Sequence, residues 1–337
     1  MSGLGRPLST AIAVVGGSQI VSTIALTVAP QWEESFATMS NLAYVLSGCY
    51  HSFHTKPRSG SLANPAFPLL FLGVSSFAFH GEPVGSSQKH TIDIISGWVV
   101  VLHLACTAMS AAVTEVASEV KMLRPYAYLV DTGFVIVFSS GFLVISVMYS
   151  QVYSNQLLFY MVCASSAVVF TLLIRIRLSK LKPLSVAITV FEAVAAFSIA
   201  VSAVFLQGEL VGRRLSNSTN KEMYSLFHGM WHVQLALVVS LLNVRYADVL
   251  EQTKQPLRDQ DHITDIGILD AIGVFVFFVQ SAVLLVMKEL SSSAVSVHVV
   301  LWVGSVLHGL HISRLVYITF RPEKAIRTSE VRPFIGL

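Results

Sequence analysis

Apolar residues fall in ten long runs separated by short polar connections: Ser9–Ala29, Ser35–Phe53, Ala66–His80, Ile92–Thr114, Ala127–Ser150, Gln156–Leu178, Pro183–Gln207, Met223–Val244, Ile266–Lys288 and Ala294–Ser313. Most reach the roughly 20 residues that a membrane-crossing helix needs. The third run, Ala66–His80, is shorter, a length suited to a helix that ends at a polar site inside a bundle. The pattern predicts an all-α polytopic membrane bundle. The first run follows a single Arg6, and Pro30-Gln-Trp is a poor small-residue cleavage site, so the run reads as a retained helix rather than a signal peptide.

Composition supports this picture. Charged residues make up 12% and hydrophobic residues 54% of the chain, where soluble domains carry about 25% charge. Mean hydropathy is +0.68. The formal net charge of +3 and the lack of a long basic run give no reason to expect nucleic acid as a partner. Cys49, Cys106 and Cys163 all lie in apolar runs and form no CxxC pair. They read as small buried hydrophobes, not as disulfides or thiolate ligands.

The 22 Lys and Arg residues set the orientation. With ten spans, Arg6, Lys56, Arg58, Lys121, Arg124, Arg175, Arg177, Lys180, Lys182, Arg245, Lys254, Arg258, Arg314, Arg321, Lys324, Arg327 and Arg332 share one side, and Lys89, Arg213, Arg214, Lys221 and Lys288 share the other. A bias of seventeen to five places both termini in the cytoplasm by the positive-inside rule. The Asn217-Ser-Thr sequon then falls in a lumenal loop, and the basic tail after Arg314 lies along the cytoplasmic membrane surface.

Against this apolar background five residues stand out. Ser76 and His80 are spaced i,i+4, as are His228 and His232, and each pair therefore shares one helix face. Asp93 is the fifth. The topology puts Ser76 and His80 at the lumenal end of the third run, Asp93 near the lumenal start of the fourth, and His228 and His232 in the first turns of the eighth. Polar groups inside a bilayer are costly and mark function. Three imidazoles at one depth suit zinc with one position left open for water, although ligand type alone also admits copper or nickel.

The same residues resemble the alkaline ceramidases, which share a superfamily with the adiponectin-type receptors. Glu34-Ser-Phe-Ala-Thr-Met-Ser-Asn41 resembles the family's Glu-x-x-Asn-Thr-x-Ser-Asn run, and Gly73-Val-Ser-Ser-Phe-Ala-Phe-His80 resembles its Gly-x-x-Ser-x-x-x-His run. Asp93 and His228-x-x-x-His232 complete the pattern. The resemblance covers residues 34–244, which hold seven of the ten runs, and leaves residues 1–33 as an extra N-terminal helix and 245–337 as two further helices with a basic tail. It implies zinc on His80, His228 and His232, with Ser76 and Asp93 as catalytic groups beside it. It also implies a ceramide-like lipid amide as substrate, membrane lipids as surroundings, and an endoplasmic reticulum or Golgi membrane with the metal toward the lumen. Three departures stand out. The acidic Asp-Trp-x-Glu-x-Asn segment that supplies calcium ligands in the family is missing, Ala37 stands where the family has Asn, and the last two helices have no counterpart.

Other polar residues read more plainly. Glu192 and His103 lie mid-run, where they either gate or couple protons or form buried partner pairs between helices, the plainer reading, and Asp131 and Asp270 read as structural. His308, His311 and Arg314 read as an interfacial or headgroup-contacting cluster, with a second metal site as the lesser alternative, and His51, His54 and His90 as exposed residues near run ends. Phe77, Phe79 and Trp231 flank the ligands, where they either line an acyl channel or simply pack. Two other functions compete with the hydrolase. One is a lipid-sensing, receptor-like protein with a structural zinc. The other is a transporter using Glu192, although the inverted repeats common in transporters are not visible.

Overall fold

A computed structural model of the 337-residue chain describes residues 5–29, 35–54, 64–81, 87–119, 122, 129–148, most of 225–244, six positions between 273 and 283, and 294–320. The expected runs Gln156–Leu178 and Pro183–Gln207, most of Ile266–Lys288, Glu192, Asp270 and the Asn217 loop lie outside the described residues. Among the described residues every element is helical and no strand occurs. The helices are α1 (Gly5–Val28), α2 (Ser35–Ser40), α3 (Leu42–His54), α4 (Ala66–His80), α5 (Ser87–Glu119) and α6 (Leu129–Met148). They are followed by α7 (228–241) and α8 (Ala294–Phe320). Within α1 and α8, the stretches Ser9–Val28 and His298–Tyr317 are long and apolar enough to cross a membrane by length and composition.

Successive helices from α3 to α6 pack side by side, and α1 lies against α2, α3 and α8. Local chemistry sets the boundaries of α4. The Asn64 carboxamide oxygen accepts the Ala66 amide at 2.9 Å, and Pro68 sits in the first turn, where a missing N–H costs nothing. At the other end Gly81 is the cap, its amide closing the last turn onto Phe77 O at 2.9 Å, so the helix ends at His80. α4 meets α3 at Gly73, where an added Cβ would stand 2.7 Å from Val45 Cγ2 and 3.0 Å from Val45 N. Only a residue without a side chain permits that approach. Val99, Cys106, Phe134 and Phe138 join α5 to α6 in a buried cluster.

The run expected as one helix over Ser35–Phe53 is two helices, broken at Asn41. The cause is local. The Asn41 side-chain amide donates to Ala37 O at 3.1 Å, while its backbone N–H turns to Thr38 O at 3.2 Å. An asparagine that bonds the carbonyl four residues back competes with the helix ladder. The fourth and tenth runs extend beyond their expected ends, with α5 reaching 33 residues and α8 reaching Phe320. At 1.5 Å per residue α5 is about 50 Å long, more than a hydrocarbon core of roughly 30 Å.

The expectations for two histidines need correction. His51 is buried, not exposed at a helix end. His308 is also buried, its ring centroid 4.0 Å from that of Phe277 and tilted to it, and it faces Gly16 of α1 rather than an interface. Position along an apolar run gives depth but not the face a residue occupies. His103 is buried on α5 with its ring edge-on to Phe134 and Phe138, each 5.3 Å away. Cys106 is a buried free thiol, as a small hydrophobe should be, Cys49 is free but half-buried, and Cys163 lies outside the described residues.

α1 and α8 form one polar-laced unit. Ser18, Gln19, Ser22 and Thr23 are buried on one stripe of α1. Gln19 Nε2 donates to Gln280 Oε1 at 2.9 Å, Ser305 Oγ to Thr23 Oγ1 at 3.0 Å, and Trp302 Nε1 to Thr27 Oγ1 at 3.2 Å. Hydroxyls on this stripe also bond back to carbonyls four residues earlier, as Ser22 does to Ser18 O at 2.8 Å. In an apolar setting such bonds satisfy groups that water cannot reach. Gln234 of α7 donates to Phe277 O at 3.3 Å, which ties the later helices to the one that carries the paired histidines.

Candidate metal centre

His80 is the last residue of α4, and His228 and His232 occupy successive turns of α7. All three are buried, and each offers a ring nitrogen such that these atoms all lie within 4.8 Å of one another. Ring centroids are 4.6 Å apart for His80 and His228, 5.7 Å for His80 and His232, and 4.3 Å for His228 and His232. Among the described residues no second group of three such ligands forms. The expected trio is therefore brought together, across a separation of about 150 residues in sequence, and is close enough to bind a metal ion.

The break at Asn41 gives this trio its orientation. Ala37 O no longer has its helical amide and instead accepts the Asn41 side chain, the Ser40 hydroxyl at 2.7 Å and a contact from His232 Nδ1 at 3.2 Å. Ser40 Oγ also lies 2.9 Å from His232 Nδ1. Ser40 spends its one proton on the carbonyl, so both neighbours of Nδ1 present lone pairs, and Nδ1 must be the donor. The proton on Nδ1 leaves Nε2 with a free lone pair. His232 Nε2 is buried and has no hydrogen-bond partner among the described residues. An acceptor that fixes the tautomer of a ligating imidazole is the usual outer support of a metal site. A buried lone pair with nothing to bond is the observation that fits a cation there.

α2 reaches α7 because residue 229 is glycine. A Cβ at Gly229 would strike the Phe36 ring and stand 3.0 Å from Ser40 Oγ. Thr38 Oγ1 donates to His80 O at 2.9 Å and ties the same short helix to the third histidine. Sequence reasoning missed Ser40, Ala37 and Gly229. The signal available was the polar Thr38-Met-Ser-Asn41 group interrupting an apolar run, and a glycine between the two histidines.

Ser76 lies one turn before His80, fully buried, with no hydrogen-bond partner for its hydroxyl among the described residues. Asp93 is half-buried in the second turn of α5. Its backbone carbonyl accepts Ser96 Oγ at 2.6 Å, and Ser96 Oγ lies 2.6 Å from Ser75 Oγ of α4. Gly97, on the same α5 face as Asp93, meets Trp231 Cη2 at 4.0 Å from its would-be Cβ. That face therefore turns toward α7. Trp231 is buried, its ring 5.7 Å from His228 and 5.3 Å from His232, and Phe79 is edge-on to His80 at 4.8 Å. Phe77 is 40% exposed on the outer face of α4, so of the three aromatics proposed beside an acyl chain it is the one that faces away.

Comparison with protein-family models, with curated proteins and with solved structures finds no match to this chain. The arrangement is thus defined by its own geometry: a buried three-histidine centre, capable of holding a metal ion, in an all-helical chain with two helices apolar enough to cross a membrane.

Proposed function

We propose that the chain is a zinc-dependent lipid amide hydrolase of the alkaline ceramidase type, built as a ten-span membrane bundle around a seven-helix core. The supporting observation is the buried trio His80, His228 and His232, in which His232 Nε2 has no hydrogen-bond partner among the described residues, with the equally unpartnered hydroxyl of Ser76 one turn before His80. When bound, zinc supplies Lewis-acid chemistry and a nucleophile available at neutral pH. His80, His228 and His232 hold it as neutral imidazoles, and Ser40 with Ala37 O keeps His232 in the required tautomer. Asp93 takes a proton from the attacking water and returns it to the leaving amine. Ser76 donates a hydrogen bond to the oxyanion that develops on the amide carbonyl. The net reaction adds one water across the amide of a ceramide-like lipid and releases a fatty acid and a sphingoid base.

The apolar helix surfaces suit lateral entry of a lipid, with Phe79 and Trp231 beside the ligands in the path of its chains. The near-complete burial of the trio also suits a metal that only holds helices together, as in a receptor-like protein. Hydrolysis separates the two readings. Purified protein in lipid nanodiscs is incubated with ceramides of several acyl lengths, and fatty acid release is followed, with His228→Ala as control. Release by wild type and none by His228→Ala supports the hydrolase. No release across the panel from protein that retains its metal replaces it with the structural reading.

A further inference from the structure

Tyr44 lies beside the metal centre and belongs to none of the motifs that identify it. Its side chain is fully buried, and its hydroxyl has no hydrogen-bond partner among the described residues. Buried phenols ordinarily find a partner. Two contacts fix where the ring lies. Its Cβ packs on Gly73 of α4, 3.1 Å from the position a Cβ would take there, and Gly73 is one turn before Ser76. The ring centroid is 5.4 Å from that of His232. The phenol thus runs from the α4 face that bears Ser76 toward a metal-ligand candidate. The break at Asn41 restarts the chain as α3, whose first turn carries Tyr44, and Tyr44 N–H closes that turn onto Asn41 O at 3.0 Å.

We propose that the Tyr44 hydroxyl is a second oxyanion donor of this site, acting with Ser76 on a substrate or product oxygen at the metal. The inference rests on the hydrolase reading for its catalytic consequence, but the hydrogen bond itself does not require turnover. Both hydroxyls are buried and have no hydrogen-bond partner among the described residues, and away from water a donor is worth more. A carboxylate product presents two acceptor oxygens, one for each donor.

The test uses Tyr44→Phe, which removes one oxygen and keeps the ring that packs on Gly73 and His232. Two readouts are taken on the full chain in nanodiscs. The first is steady-state hydrolysis of a ceramide by the zinc protein. The second is binding of a long-chain fatty acid to cobalt-loaded protein, followed by the visible absorption of the cobalt. Tyr317→Phe, on the exposed face of α8, serves as control. The expected result is full metal content, turnover lowered by about 10²–10³ as for loss of one oxyanion donor, little change in KM, and fatty acid binding weakened by about 10- to 100-fold. Weakened fatty acid binding in a chain whose wild type hydrolyses no ceramide keeps Tyr44 as a donor and removes the hydrolase reading. Unchanged fatty acid binding overturns the proposal whatever the wild-type activity. Loss of metal in Tyr44→Phe also overturns it, because the residue then only supports His232.

Discussion

Replacing Gly229 with alanine pits two effects of opposite sign against each other. Within a helix, alanine is favoured over glycine by about 0.8–1.0 kcal/mol. Against this, the new methyl would strike the Phe36 ring and crowd Ser40 Oγ at 3.0 Å. Phe36 is fully buried and cannot swing away, so relief requires α2 to move, and overpacking of this kind costs about 1–3 kcal/mol. The net effect on folding is destabilisation of about 0–2 kcal/mol. The effect on the metal is larger than that figure suggests, because α2 carries both Ser40 and the Ala37 carbonyl that hold His232 Nδ1. Losing the outer support of a ligating histidine lowers metal affinity by about 10–100-fold. Ser40→Ala is the milder comparison, since Ala37 O remains 3.2 Å from Nδ1, and it falls near the tenfold end. The assay is a competitive zinc titration against a chromophoric chelator in detergent, alongside thermal unfolding of the metal-free protein. A Gly229→Ala variant that binds zinc as tightly as wild type would refute the assignment of α2 as the support of His232.

Three further outcomes are expected. Ser76→Ala and Asp93→Asn keep most of their metal and lose turnover by about 10²–10³ and about 10²–10⁴ respectively; metal loss from Asp93→Asn, measured by elemental analysis, would make Asp93 a ligand instead. Calcium activates hydrolysis little, since Glu34 stands without an upstream acidic cluster and one carboxylate cannot supply the six to eight oxygens calcium takes; a large saturable activation in a chelator titration would count against this. In sealed microsomes a tag in the 208–222 loop is protected from protease and a C-terminal tag is digested, and the opposite pattern would invert the proposed topology.

The histidine trio was legible in the sequence because helix periodicity constrains it. His228 and His232 at i,i+4 share one face, and Ser76 and His80 repeat that spacing in another apolar run. The limits of α4 were equally legible, since Asn64-Pro65 and Gly81 punctuate an uninterrupted apolar run. The break at Asn41 was not, because Ser35–Phe53 is apolar enough to read as one helix, and the competing bond from the Asn41 side chain emerges only once Ala37 O is placed. The support from Ser40 depends on a contact 192 residues away in sequence, which no local pattern encodes. His51 and His308 were misplaced for a related reason: a run that is apolar all round does not say which side faces its neighbours. The polar stripe Ser18-Gln19, Ser22-Thr23 on α1 was visible at helical spacing, yet its partners Gln280 and Ser305 lie on later helices.

Metal content tests the central claim most directly. Protein purified in detergent and stripped of loosely held ions is assayed by elemental analysis, wild type beside the His228→Ala, His232→Ala double variant. About one zinc per chain is expected in wild type and near none in the double variant. Zinc retained in full by the double variant, or a wild type that binds no metal when offered it, would show that the histidine trio is not a metal site.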